Sequence, residues 1–190
     1  MRAILANRGI TAILIFILVG HSGQARQLAL QPESEQSPFV LSVVPTSSHA
    51  EPAGRIISMI KPSPRPFYVV LTNISKDSQA AFESSNSWGY QTISFEIQTA
   101  DGHKSIVTME EHGFRANAPT TFTIPAGEHM VYPITLDRQW EIAPPLPVAN
   151  DIRITIKAIY EVKPTPESAK AHVWTGRVES KSYDFNLEER

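Results

Sequence analysis

Apolar and polar residues alternate along much of the chain beyond position 38. Ile152, Ile154, Ile156, Ala158, Tyr160 and Val162 hold one parity, against Arg153, Thr155, Lys157, Ile159 and Glu161 on the other. Successive side chains of a strand point to opposite faces, whereas a helix would scatter these residues around its circumference. The run therefore predicts an eleven-residue strand with its even-numbered side chains inward. Ile93, Phe95 and Ile97 alternate in the same way with Thr92, Ser94, Glu96 and Gln98, and Met130, Tyr132, Ile134 and Leu136 make a third set. Further strands are predicted at 39–44, 67–74, 104–109, 120–124 and 183–187. Residues 67–74 are apolar at both parities, which predicts a central strand. No helical stripe and no solenoid repeat is visible in this region.

The connections fit the strands. Asp101-Gly102 predicts a type I′ hairpin, and Pro125-Ala126-Gly127-Glu128 a tight turn. Pro62, Pro64 and Pro66 exclude regular pairing just before residue 67, and Pro144, Pro145 and Pro147 stiffen the loop at 143–150. The inward parity is even at Trp174 and Val178 but odd at Tyr183, Phe185 and Leu187, so a bulge or a change of sheet lies between Val178 and Tyr183. Seven to nine short antiparallel strands without crossover helices predict an all-β fold, an immunoglobulin-like antiparallel β-sandwich.

The segments LTNIS (71–75), SWGYQTISFEI (87–97), ADGHK (100–104), TIPAGEHMVYPITL (123–136), IKAIYEV (156–162) and VWTGRVES (173–180) resemble a family of uncharacterised exported bacterial β-sandwich domains. The order of a strand ending in Asn, a Phe-bearing strand followed by Asp-Gly, and a Pro-x-Gly-Glu turn before an aromatic strand is also similar in layout to the BsuPI-type proteinase-inhibitor domain. Neither resemblance implies a known activity, and no inhibitory residue is carried over.

The first 25 residues read as an address. Arg2 and Arg8 precede a ten-residue apolar run at 10–19, and Gly23 and Ala25 suit a cut before Arg26. The run is half the roughly 20 residues that a membrane-spanning helix needs. This organisation predicts a signal peptide at 1–25, cleaved after Ala25, a polar leader at 26–37 and a sandwich domain at 38–190, in a bacterial periplasm or outside the cell, with no stable membrane insertion after cleavage. Losing Arg2 and Arg8 takes the formal charge from −2 to −4. A chain of that charge lacks the basic face that nucleic acid requires.

Composition removes whole chemistries. With no cysteine there is no disulfide framework, thiolate metal site or cysteine nucleophile. An exported domain without disulfides must be held by its core alone, and about 150 residues suffice. The Asn73-Ile74-Ser75 sequon reads as accidental in a bacterial setting. His103, His112, His129 and His172 show no ligand-pair spacing, and Glu110-Glu111-His112 falls in a loop, so no metal is expected. No nucleophile elbow, Ser-x-x-Lys segment or phosphate loop occurs, so neither catalytic residues nor a cofactor is assigned. Three functions remain: a non-catalytic module that binds an envelope protein or a glycan, a proteinase inhibitor presenting residues 110–121 or 143–150, and a carbohydrate-active enzyme whose acids carry no motif. The candidate binding surface is aromatic. Trp88 and Tyr90 flank Gly89 before a strand, and Trp140 follows a polar strand end. A rigid ring supplies much contact area at low entropic cost. Of the three tryptophans, Trp88 and Trp174 are expected to plug the sandwich, and Trp140, among Arg138, Gln139 and Glu141, to lie at the surface.

Overall fold

The computed structural model describes residues 37–45, 56–58, 66–114, 118–146 and 152–188. The expected signal peptide and all but the last residue of the leader lie outside the described residues, as do His49, Pro62, Pro64 and Pro147.

Among the described residues, twelve strands and two single-turn helices follow in the order β1 (Phe39–Val44), β2 (Ile56–Ser58), β3 (Phe67–Asn73), β4 (Gln79–Phe82), α1 (Ser87–Tyr90), β5 (Ile93–Thr99), β6 (Lys104–Met109), β7 (Thr121–Ile124), β8 (His129–Ile134), β9 (Trp140–Ala143), β10 (Ile152–Val162), α2 (Pro166–Lys170), β11 (Gly176–Glu179) and β12 (Tyr183–Glu188). All eight strands read from the alternation are present, with ends within two residues of the expected ones. The count exceeds nine because β2, β4, β9 and β11 have only three or four residues each. That is too short for a period of two to stand out. The helices, of four and five residues, are likewise too short to leave a stripe.

The fold is all-β and sandwich-like. A three-stranded sheet of order β1-β3-β8 packs on a seven-stranded sheet of order β2-β12-β10-β5-β6-β9, in which β11 also pairs with β10; β4 and β7 form a separate pair. Pairing is antiparallel throughout these sheets except for β2 on β12, which is parallel. The inward side chains of both sheets form one core. Phe67 meets Phe95 and Phe185 at ring-centroid distances of 5.4 and 6.3 Å, and Phe39 meets Tyr160 at 6.3 Å. Trp174 lies 5.4 Å from Phe39 and stacks on Tyr160, closing the core as the sequence suggested. On β10, Ile154, Ile156, Ala158, Tyr160 and Val162 are buried in the expected parity, and Ile159 is buried as well.

Three local features refine the sequence reading. β11 and β12 run end to end along the same edge of β10, with Ser180, Lys181 and Ser182 opposite only Lys157 and Ala158. One extra residue in a strand is a β-bulge, and it accounts for the change of parity without a change of sheet. Buried Ser180 stabilises it, its Oγ accepting from the Ala158 N–H at 2.9 Å. The β5–β6 hairpin forms at Asp101-Gly102, but it is not type I′. That turn needs positive φ at both central residues, and here Gly102 alone has it, at 89°. The Gly102 N–H donates to Thr99 O at 3.0 Å and the Thr99 N–H to His103 O at 2.9 Å, closing a three-residue loop with a left-handed glycine. The turn at Pro125–Glu128 has Gly127 at φ 79°, the position a type II turn reserves for glycine. It does not make a hairpin, because β7 pairs with β4 and β8 with β3. Asn73 pins this corner. It is fully buried, and its Nδ2 donates to Asp77 O at 2.8 Å and Ile124 O at 2.9 Å, so the folded chain withholds the sequon amide.

The two outer faces differ in kind. Across the large sheet a continuous line of ion pairs runs Lys104–Glu96–Lys157–Glu179–Arg177–Glu161, with separations from 2.7 to 3.8 Å. Hydrogen bonds from Lys157 and then Arg177 hold the Glu179 carboxyl below its ordinary range. The outer face of the small sheet bears Val40, Val44, Tyr68 and Val131, all exposed. β3 is central in its sheet, as expected. Yet only its odd-numbered side chains are buried, and its second apolar parity faces outward.

Candidate functional site

At one end of the charged face, an open groove of about 560 Å³ lies between α1, the end of β6 and the end of β10. Ser94, Thr108, Glu141 and Glu161 project into it from the outer parity of four strands. Trp88 forms a wall, and Glu111, Lys163 and Thr165 lie at the rim. Glu161 is held by Arg177 at 3.0 Å, whereas Glu111, Glu141 and Lys163 are exposed.

The wall is set by α1. Asn86 is buried and caps the helix, its Oδ1 accepting from the N–H groups of Trp88 at 3.1 Å and Gly89 at 3.0 Å. Its Nδ2 donates to Thr120 O and Oγ1, both at 3.0 Å, tying the turn to the start of β7. An Asn here satisfies helix N–H groups that have no partner within the turn. Thr92 Oγ1 returns a hydrogen bond to Gly89 O at 2.9 Å. The Trp88 ring then lies 6.3 Å from Phe82, half-buried, with one side on the core and the other toward the groove.

Tyr90 projects elsewhere. It forms a cluster with His112 and Phe114, with centroids 5.7 and 5.4 Å away and 4.9 Å between the latter two. The Glu110-Glu111-His112 segment is a loop, as expected, and its histidine engages rings. Among the described residues, no three His, Asp or Glu side chains converge as metal ligands. Residues 115–117 and 147–150, parts of the two loops considered for protease contact, lie outside the described residues.

Trp140 departs from the sequence reading. It does not lie in a polar loop but opens the edge strand β9, where Trp140 and Ile142 turn inward while Glu141 and Ala143 turn out. Its ring sits 5.4 Å from fully buried Phe95. The polar neighbours Arg138, Gln139 and Glu141 misled because a four-residue strand presents only two inward positions. Trp140→Ala is accordingly expected to lose roughly 2–4 kcal/mol, close to the loss for Trp88→Ala and well above the less than about 1 kcal/mol of a surface ring. Urea unfolding of the two variants measures this, and a Trp140→Ala loss below about 1 kcal/mol would remove Trp140 from the core.

Of the three aromatic candidates, then, only Trp88 lines the groove. The sequence reading missed Glu141, Glu161, Thr108 and Lys163. The outward parity of Ser94 and Glu161 was legible, but what joins these residues is the strand order β9-β6-β5-β10, which alternation cannot supply. No family model, curated protein or solved structure matches the chain.

Proposed function

We propose that this chain is an exported, non-catalytic sandwich module of immunoglobulin-like type that binds a glycan or a polar segment of an envelope protein in the groove beside Trp88. The observation that carries the reading is the groove itself: a half-buried aromatic wall over a floor of hydroxyls and carboxylates. A flat ring offers contact area, and the surrounding polar groups set orientation, as ligand sites commonly combine them. At the rim Glu111, Glu141 and Lys163 are exposed and open to a polar ligand. Export rests on the charged, apolar and small-residue pattern of residues 1–25. Among the described residues no helix is long and apolar enough to cross a membrane.

A glycan array and a pull-down from cell-envelope extract should yield a ligand whose affinity falls roughly fivefold or more in Glu141→Ala and in Lys163→Ala, each with an unchanged melting temperature, as expected for losing one hydrogen bond to a polar ligand. Binding indifferent to both substitutions would overturn the site. Turnover of a bound glycan, or stoichiometric loss of protease activity, would overturn the function.

A further inference from the structure

β3 carries a pattern that this sandwich leaves half used. A strand apolar at both parities is ordinarily covered on both faces. Here one parity enters the core, and the other stands in the open, where Tyr68 is 36% exposed. The strands on either side repeat this. Val40 and Val44 of β1 are 47% and 44% exposed, and Val131 of β8 is 40% exposed. The registers bring them together, with Val44 opposite Tyr68, Tyr68 opposite Pro133, and Val70 opposite Val131.

We propose that this face is a self-association surface, seating the same face of a second copy of the chain. Charge and area identify the occupant. The remaining outward positions are Ser42, Thr72 and His129, so none of the nine described outward positions of these strands is an acid, a lysine or an arginine. Two copies can meet there without like-charge repulsion, whereas approach through the opposite face would set one ion-pair ladder against another. A flat, uncharged face rich in β-branched residues is also what inner sandwich faces present to one another. The fractional exposures of these side chains amount to roughly 500 Å² per copy, so complete pairing would bury at most about 1,000 Å². That reaches the lower bound for a specific contact and falls short of a permanent one, which fixes the association as reversible. The groove lies on the other sheet, so pairing leaves both grooves open, and a ligand offering two sites would be held with avidity.

Sedimentation equilibrium of the protein expressed from its full sequence, between about 5 and 500 µM, is expected to show the average mass rising from one chain toward two, with a midpoint of roughly 10–200 µM. The double variant Val44→Asp/Val131→Asp should stay at the one-chain mass at the highest concentration. Its melting temperature should remain within a few degrees of the parent, because both side chains are exposed. Lys157→Ala, on the charged face, should associate like the parent. A parent that stays at one chain throughout, association that survives the double variant, or a mass that climbs beyond two would each overturn the proposal.

Discussion

Ile156→Asp is expected to abolish folding. Ile156 has no exposed surface and lies at the centre of the longest strand, opposite Ile97 on β5 and Tyr183 on β12. With strands on both sides and the small sheet above, a carboxylate there has no route to water. Burying an unpaired charge costs several kcal/mol even after relaxation, and the packing of the isoleucine is lost as well at roughly 2–5 kcal/mol. Together these match the roughly 5–15 kcal/mol that holds a domain of this size. Arg153→Ala, three residues away on the outward parity, is the contrast. Its ion pair with Asp184, at 3.3 Å, joins two exposed side chains, so the loss should stay below about 1 kcal/mol. Soluble expression and urea unfolding followed by circular dichroism separate the two, and cooperative unfolding of Ile156→Asp would show that the inward parity of β10 is wrong.

That prediction uses only what was legible in the sequence, because a long strand exposed on one side writes its parity into every second residue. Legibility fell off with length and with distance along the chain. The bulge at Ser180–Ser182 could be inferred from the shift in parity, since a slip of one residue reverses every following side chain. Its identity as a bulge rather than a change of sheet needed the shared edge of β10. Asp101-Gly102 announced a hairpin, but not whether Asp101 would take positive φ. The apolar second parity of β3 was visible, and central placement was the correct inference. What the sequence could not show is that, among the described residues, this second parity faces outward. The groove was least legible, because its polar side chains come from four separated segments and Trp88 alone announced it.

α1 is the part of that groove where sequence and structure predict opposite signs for one substitution. Gly89 lies within a helical turn at negative φ, and by intrinsic propensity Gly→Ala should stabilise it by about 1 kcal/mol. The packing reverses this. A Cβ at Gly89 would meet the Glu83 carbonyl oxygen at 2.2 Å and its carbon at 2.6 Å, with Phe82 O at 3.0 Å. All three are backbone atoms, and the end of β4 that carries them is held by its ladder with β7 and by the Glu83 N–H to Thr120 O bond at 3.0 Å. No side chain can swing aside to make room, so either α1 or the end of β4 must move. The strain of overfilling a packed site then outweighs propensity, and Gly89→Ala is expected to lose roughly 3 kcal/mol or more. Since α1 carries Trp88, the same shift should weaken any ligand in the groove even where the variant remains folded. Gly113→Ala is the matched control: a Cβ there meets nothing within 4 Å and φ is unremarkable, so stability should change by no more than about 0.5 kcal/mol. Equilibrium urea unfolding of the pair gives the answer, and a Gly89→Ala protein as stable as the parent would mean that α1 is not seated against Glu83.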